Sequence, residues 1–275
     1  MRNKIWGEGK DFFMNQQIVK DMNVLGAFCG KRDIQKLSTI ELNQKYGIKQ
    51  VDVMVLFGGS ILCGGDLLAE AIQNKIAKQY VIVGGFGHTT ETLRQKVQAI
   101  YPTIHTDGCS EAEIFQQYIH TRYGLTVDHL ECRSTNCGNN ITYLLELLKE
   151  KQIDFENILL CQDATMQRRM EAGMRKYVSD SIQVLSYATY QVKVIEQENQ
   201  WNYDNQPYGM WEMERYVTLL MGEISRLSDN EEGYGPKGKN FIAHVEIPKD
   251  VMEAFERLKK VYGEKIREAN PLYAG

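Results

Sequence analysis

Val51-Asp52-Val53-Met54-Val55-Leu56-Phe57-Gly58-Gly59-Ser60 is a short run of mostly branched apolar residues that ends abruptly in small ones. Such a run fits a strand buried on both faces, and the glycines that close it fit a tight loop. In open parallel sheets ligands sit beyond the carboxyl ends of the strands, where Gly58 and Gly59 let backbone N–H groups approach a bound group. Tyr80-Val81-Ile82-Val83 runs in the same way into Gly84-Gly85-Phe86-Gly87-His88. Two strand ends with glycine loops predict one wall of a cleft.

Outward from Val51 the rhythm is strand, loop, helix. Leu68, Ile72 and Ile76 sit four apart and Leu93, Val97 and Ile100 follow a similar period, so helices flank the strand at 80–84. Ser110-Glu111-Ala112-Glu113 has the pattern of a capping box that opens a helix. A strand near His129 to Arg133 leads to the polar loop Ser134-Thr135-Asn136 and a helix carrying Ile141, Leu144, Leu145 and Leu148. Ile158 to Cys161 then leads to Gln162-Asp163-Ala164-Thr165 and a helix face of Met166, Met170, Met174 and Tyr177, with one more strand at Ile182 to Tyr187. This alternation predicts an α/β fold: a parallel sheet covered by helices on both faces, spanning residues 51–190.

The flanks differ from the core. Residues 1–50 read as a helical arm, with the apolar stripe Phe12, Phe13, Ile18, Met22, Leu25 and Phe28 and a second short helix from Thr39 to Tyr46 that ends at Gly47. Residues 191–275 read as a small C-terminal α/β subdomain. It has a helix on Met213, Val217, Leu220, Ile224 and Leu227 and a loop from Asp229 to Asn240. A strand on Phe241, Ala243, Val245 and Ile247 and a last helix opened by Pro248 complete it. The tail either packs with the N-terminal arm or covers the cleft.

Composition excludes several classes. With 32 Lys+Arg against 36 Asp+Glu in 275 residues the net charge is −4, and no basic block is present, which argues against nucleic acid as a partner. No basic-then-apolar leader is visible and no run approaches the ~18 apolar residues of a membrane span, so a cytoplasmic protein is expected. The six cysteines form no C-x-x-C pair and the five histidines show no chelating spacing, so reduced thiols and no metal are expected. The oligomeric state is not legible.

Each candidate has a plainer reading. The glycines at 58, 59, 84, 85 and 87 suit a phosphate, carboxylate or ribose, yet glycines also simply make tight turns, and no G-x-G-x-x-G is present. Asp163 is either the N-cap of its helix or a working carboxylate. Arg168 and Arg169, in a first helical turn, oppose the helix dipole, so a bound anion, a carboxylate partner or a solvated face would account for them. Capping explains Glu111 without a ligand. Gly233-Tyr234-Gly235-Pro236-Lys237-Gly238-Lys239-Asn240 matches G-x-x-x-x-G-K, but Asn240 replaces the Ser/Thr of a P-loop and the segment follows a helix, so that reading is rejected. Tyr234 and Lys237 remain candidates for a loop lying over a ligand. Cys137 and Cys161 read as small buried hydrophobes.

Taken together, Ser134-Thr135-Asn136-Cys137-Gly138-Asn139-Asn140, Gln162-Asp163-Ala164-Thr165-Met166-Gln167-Arg168-Arg169, Gly84-Gly85-Phe86-Gly87-His88 and Glu111 resemble the YdcF/SanA/ElyC family over roughly residues 50 to 190. The segment Gly233 to Glu246 resembles the soluble YdcF branch. The resemblance implies a Rossmann-like domain and S-adenosylmethionine, or a related nucleotide-like small molecule, as ligand. The residues that would bind it are Gly58, Gly59, Ser60, Gly84, Gly85, Gly87, His88, Glu111, Thr135, Asn136, Asn140, Gln162, Asp163, Thr165, Arg168, Tyr234 and Lys237. The chain departs from the family pattern where Cys137, Asn139 and Thr165 stand at positions typically Thr, Glu and His. Acid–base work assigned to that Glu and His would here fall to Asp163, Glu111 or His88. Two other expectations stand beside this one. One is a hydrolase or transferase of a phosphorylated or cell-envelope metabolite, with Arg168 or Arg169 holding the anion. The other is a non-catalytic sensor whose loop around Tyr234 closes on its ligand.

Overall fold

A computed structural model describes residues 5–198 and 200–263, with side chains from Asn15 onward. Five parallel strands form the central sheet: β1 (Val51–Phe57), β2 (Ala77–Val83), β3 (His129–Glu131), β4 (Asn157–Cys161) and β5 (Gln183–Ser186), in the spatial order β3-β2-β1-β4-β5. The chain builds outward from β1 to β3, then returns to the other side of β1 for β4 and β5. The strand order therefore reverses between β1 and β4, and the loops after those two strands diverge to leave a crevice at the carboxyl edge. The α/β, Rossmann-like architecture is as the alternation predicts.

Pleating sends alternate residues of β1 to opposite faces. Met54 and Leu56 join Leu68 of α3 (Cys63–Gln73), Leu93 of α4 (Thr90–Ile100) and Phe115 and Tyr118 of α5 (Glu111–Tyr123) in one buried cluster. Val53, Val55 and Phe57 join Ile141 and Leu144 of α6 (Cys137–Glu150) and Met170 and Met174 of α7 (Gln167–Tyr177) in another. The helix boundaries have local causes. Ser110 and Glu113 form the full capping box that opens α5, and Gly124, at φ 68°, closes it in the left-handed conformation glycine favours. The short helix α2 (Thr39–Tyr46) starts on Ser38, whose side chain accepts from the Glu41 N–H, and ends at Gly47 with φ 70°.

A third cluster joins the two ends of the chain. Met22 and Leu25 of α1 (Ile5–Cys29) pack with Val217, Leu220 and Ile224 of α8 (Met213–Leu227) and with Val251, Phe255 and Leu258 of α9 (Lys249–Tyr262). Arg257 clamps the buried Asp21 across α1 and α9 with two hydrogen bonds of 2.8 Å. Phe12 and Phe13, placed on the α1 stripe by periodicity, lie outside the described side chains. Ile61 and Ala164, from the loops after β1 and β4, belong to this cluster too, so the terminal layer rests directly on the crevice loops.

Two features of the tail differ from the sequence reading. The alternation at 241–247 does not produce a strand. Phe241 and Ile242 donate to the Tyr234 carbonyl and Ala243 to that of Ala172, so these backbone groups are satisfied by a loop and a helix rather than by a neighbouring strand. Ile242, not Phe241, is the buried residue. An antiparallel hairpin of β6 (Val194–Gln197) and β7 (Gln200–Tyr203) is present instead, a pairing that no clear sequence signal announces. Among the described residues no helix is long and apolar enough to cross a membrane.

Candidate functional site

The crevice beyond β1, β2, β3 and β4 is a cleft of about 630 Å³, measured to its open mouth. The loop after β1 contributes Gly58, Gly59 and Ser60. The loop after β2 contributes Gly84, Gly85, Gly87, His88 and Thr89. Ser134, Thr135, Asn136, Cys137 and Asn140 come from the β3 loop and the start of α6, and Gln162, Asp163, Thr165 and Met166 from the β4 loop. Glu111, the first residue of α5, lies among them. Fourteen of the seventeen residues assigned from the sequence thus meet around one space.

Arg168, Tyr234 and Lys237 do not. Arg168 stacks on Phe28, 4.1 Å from the ring centroid, and its Nε donates to the Phe28 carbonyl at 2.5 Å, satisfying a carbonyl in the last turn of α1. Arg169 is ion-paired with the buried Glu223 through Nε at 2.5 Å and its terminal nitrogen at 2.9 Å. An internal carboxylate and a helix end therefore explain both arginines, and neither holds an anion in the cleft. Tyr234 packs edge-on against Phe241 in the terminal layer, and Lys237 is exposed, its backbone N–H donating to Asp229. Their loop is a self-contained turn rather than a cover for the cleft. The cover comes from elsewhere: Trp211 and Leu219, at and after the approach to α8, complete the lining. Sequence reasoning missed both. The available signal was a tryptophan, whose indole N–H needs a partner when buried, in a chain with an acidic strand end at Asp163.

The glycines have a structural reason. A Cβ on Gly58 would stand 2.6 Å from Glu111 Oε2 and 2.9 Å from Glu111 Cβ, and one on Gly84 would stand 3.0 Å from Glu111 Cβ. A Cβ on Gly85 would overlap the Ser134 backbone. The strand ends are stripped of side chains so that Glu111 can seat its carboxyl between them. Within that seat Oε1 accepts from the Thr89 hydroxyl at 2.7 Å and the Thr90 hydroxyl at 3.0 Å. Oε2 has no partner among the described residues. Burial raises the Glu111 pKa, and the two threonine hydroxyls offset this only in part.

Asp163 is not the N-cap of α7, a position held by Met166. Its Oδ1 accepts from the Thr165 N–H and hydroxyl, both at 2.8 Å, and from the Tyr190 hydroxyl at 2.7 Å, while Oδ2 accepts from the Trp211 indole at 2.7 Å. All four donors are neutral, so the carboxylate's charge is solvated but not cancelled. Lys96, behind the loop, donates to the carbonyls of Ser60 and Gly209 and lies 5.3 Å from the Trp211 ring. Burial lowers its pKa, and the charge of Asp163 opposes that shift. Gln162 bridges the two diverging loops: its side chain donates to the Gly58 carbonyl at 3.3 Å and accepts from the Asp163 N–H at 2.6 Å.

Three buried side-chain polar atoms lack a partner among the described residues: Ser60 Oγ, Arg94 Nε and Thr106 Oγ1. Of these residues Ser60 alone lines the cleft. The backbone N–H groups of Gly59 and Ser60 also have no acceptor among the described residues. α6 begins with Asn136, whose side chain accepts from the Asn139 N–H, and carries no acidic residue in its first turn. Among the described lining residues Glu111 and Asp163 supply negative charge, and no Lys or Arg is present. No three described side chains converge as metal ligands. A scan of the chain against protein-family models finds no match.

Proposed function

We propose that this protein binds a small adenosine-containing ligand in the cleft beyond β1 and β4, with S-adenosylmethionine, the ligand implied by the resemblance to the YdcF/SanA/ElyC family, as the best fit. The observation that carries this reading is the Ser60 hydroxyl, fully buried and without a partner among the described residues, in a cleft whose described lining holds two carboxylates and no lysine or arginine. A buried hydroxyl left unpaired costs about 1–3 kcal/mol, and a ligand atom that pairs with it recovers that loss. The adjoining N–H groups and the start of α6, which has no acidic residue in its first turn, suit one carboxylate. A polyphosphate is disfavoured, because its charge would meet Glu111 and Asp163 without an arginine or lysine to neutralise it. The same point weighs against a phosphoester hydrolase, since Arg168 and Arg169 are engaged elsewhere.

Thermal unfolding with adenosylmethionine, adenosylhomocysteine, ATP and NAD tests the reading. A ligand at about 100 times its Kd stabilises the fold by ~2.7 kcal/mol, which raises Tm by several degrees in a protein of this size. The reading predicts that shift with adenosylmethionine and not with ATP. No shift with either adenosyl ligand removes it.

A further inference from the structure

The Glu111 carboxyl is half-satisfied in a specific way. Oε1 is fixed by two threonine hydroxyls, whereas Oε2, on the Gly58 side, has no donor among the described residues. A buried carboxylate is stabilised by a counter-charge, and the described lining, which includes His88, holds no lysine or arginine. The side chain is also locked in place, since the glycines at 58 and 84 leave room for it and Thr89 and Thr90 hold it. A carboxyl that is fixed and lacks a cationic partner is built to receive a cation from the ligand.

We infer that Glu111 is the specificity-determining residue of this cleft and that it selects a ligand carrying positive charge beside Oε2, so that a sulfonium is bound in preference to the neutral thioether left when a methyl group is lost. This rests on the adenosyl-ligand reading above and goes beyond it by assigning charge selection to one side chain. Burial, by raising the Glu111 pKa, gives the preference a direction in pH. In acid the carboxyl is protonated and neutral, and the two ligands are bound alike; as pH rises Glu111 ionises and the sulfonium is favoured. His88 and Asp163 are the other ionisable groups that line the same cleft, whereas Glu113 is turned into the capping box with Ser110 and Arg94 onto the Cys109 carbonyl.

Isothermal titration calorimetry of the full chain with adenosylmethionine and adenosylhomocysteine, across pH 5 to 8, separates the outcomes. The wild type is expected to bind adenosylmethionine about tenfold more tightly at the upper end, a difference of ~1.4 kcal/mol, and the ratio is expected to shrink in acid. Glu111→Gln, which keeps the shape and a hydrogen-bonding group for Thr89 and Thr90, is expected to bring the ratio close to one at every pH. Equal binding of the two ligands by the wild type, or an unchanged ratio in Glu111→Gln, overturns the inference and leaves the adenosyl reading standing. Binding of neither ligand by folded wild type removes both. If Glu111→Gln does not fold, the wild-type comparison decides, because equal binding of the two ligands contradicts charge selection.

Discussion

The indole N–H of Trp211 donates to Asp163 Oδ2 at 2.7 Å, so the segment leading into α8 is tied to the loop after β4 by a partly buried hydrogen bond. Lys96 strengthens the junction by holding Ser60 and Gly209 together beneath the same ring. The C-terminal layer thereby forms part of the cleft wall. Trp211→Phe keeps the apolar bulk but leaves Oδ2 without its donor. The expected loss is about 1–3 kcal/mol of stability, read by urea unfolding, together with weaker adenosyl-ligand binding.

Gly58 and Glu111 form a second pair whose coupling can be measured. Gly58→Ala forces a methyl group against the Glu111 side chain, at an expected cost of about 1–3 kcal/mol. In a Glu111→Ala background the same change is expected to cost less, because the contact with Oε2 at 2.6 Å is gone while that with Cβ at 2.9 Å remains. A double-mutant cycle in chemical denaturation measures this coupling. Equal costs in both backgrounds would show that Gly58 does not serve to make room for the Glu111 carboxyl.

Arg169 and Lys237 provide a contrast. Arg169→Met strips a buried partner from Glu223, with an expected loss of ~3–5 kcal/mol. Arg226 remains beside Glu223 and places the loss toward the lower end. Lys237→Ala, on an exposed turn, is expected to change stability by less than about 0.5 kcal/mol and to leave ligand affinity unaltered.

Glu111 also makes stability depend on pH. Its pKa is raised in the folded state, so the folded protein holds this proton more tightly than the unfolded chain. The group's unfavourable effect is absent in acid, where both states are protonated. It develops as pH rises past the unfolded value of about 4.3 toward the higher folded one. Glu111→Gln is therefore expected to raise the Tm of the ligand-free protein at neutral pH and to leave it nearly unchanged in acid, as read by differential scanning calorimetry at both pH values.

The core was legible because its signals are local and repeated. Unbroken apolar runs at β1 and β4, four-residue steps in α3 and α4, and the Ser110 to Glu113 capping box each specify an element by themselves. The strand ends were legible as a group, since a parallel sheet with this alternation puts them on one edge. What the sequence did not reveal depends on partners distant in the chain. Arg168 and Arg169 look like anion ligands until Phe28 and Glu223 are placed beside them. The glycines look like a phosphate cradle until Glu111 is found between them. The alternation at 241–247 lacks a neighbouring strand to pair with, and Trp211 reaches the cleft only through the packing of α8 on α1 and α7.

The most direct test of the central claim is a crystal structure of the full chain grown with saturating adenosylmethionine. The ligand is predicted to lie beyond β1 and β4 with one of its polar atoms within hydrogen-bond distance of Ser60 Oγ and its sulfonium on the Glu111 side of the cleft. An empty cleft at saturating ligand, or adenosylmethionine bound away from Ser60, would contradict the account.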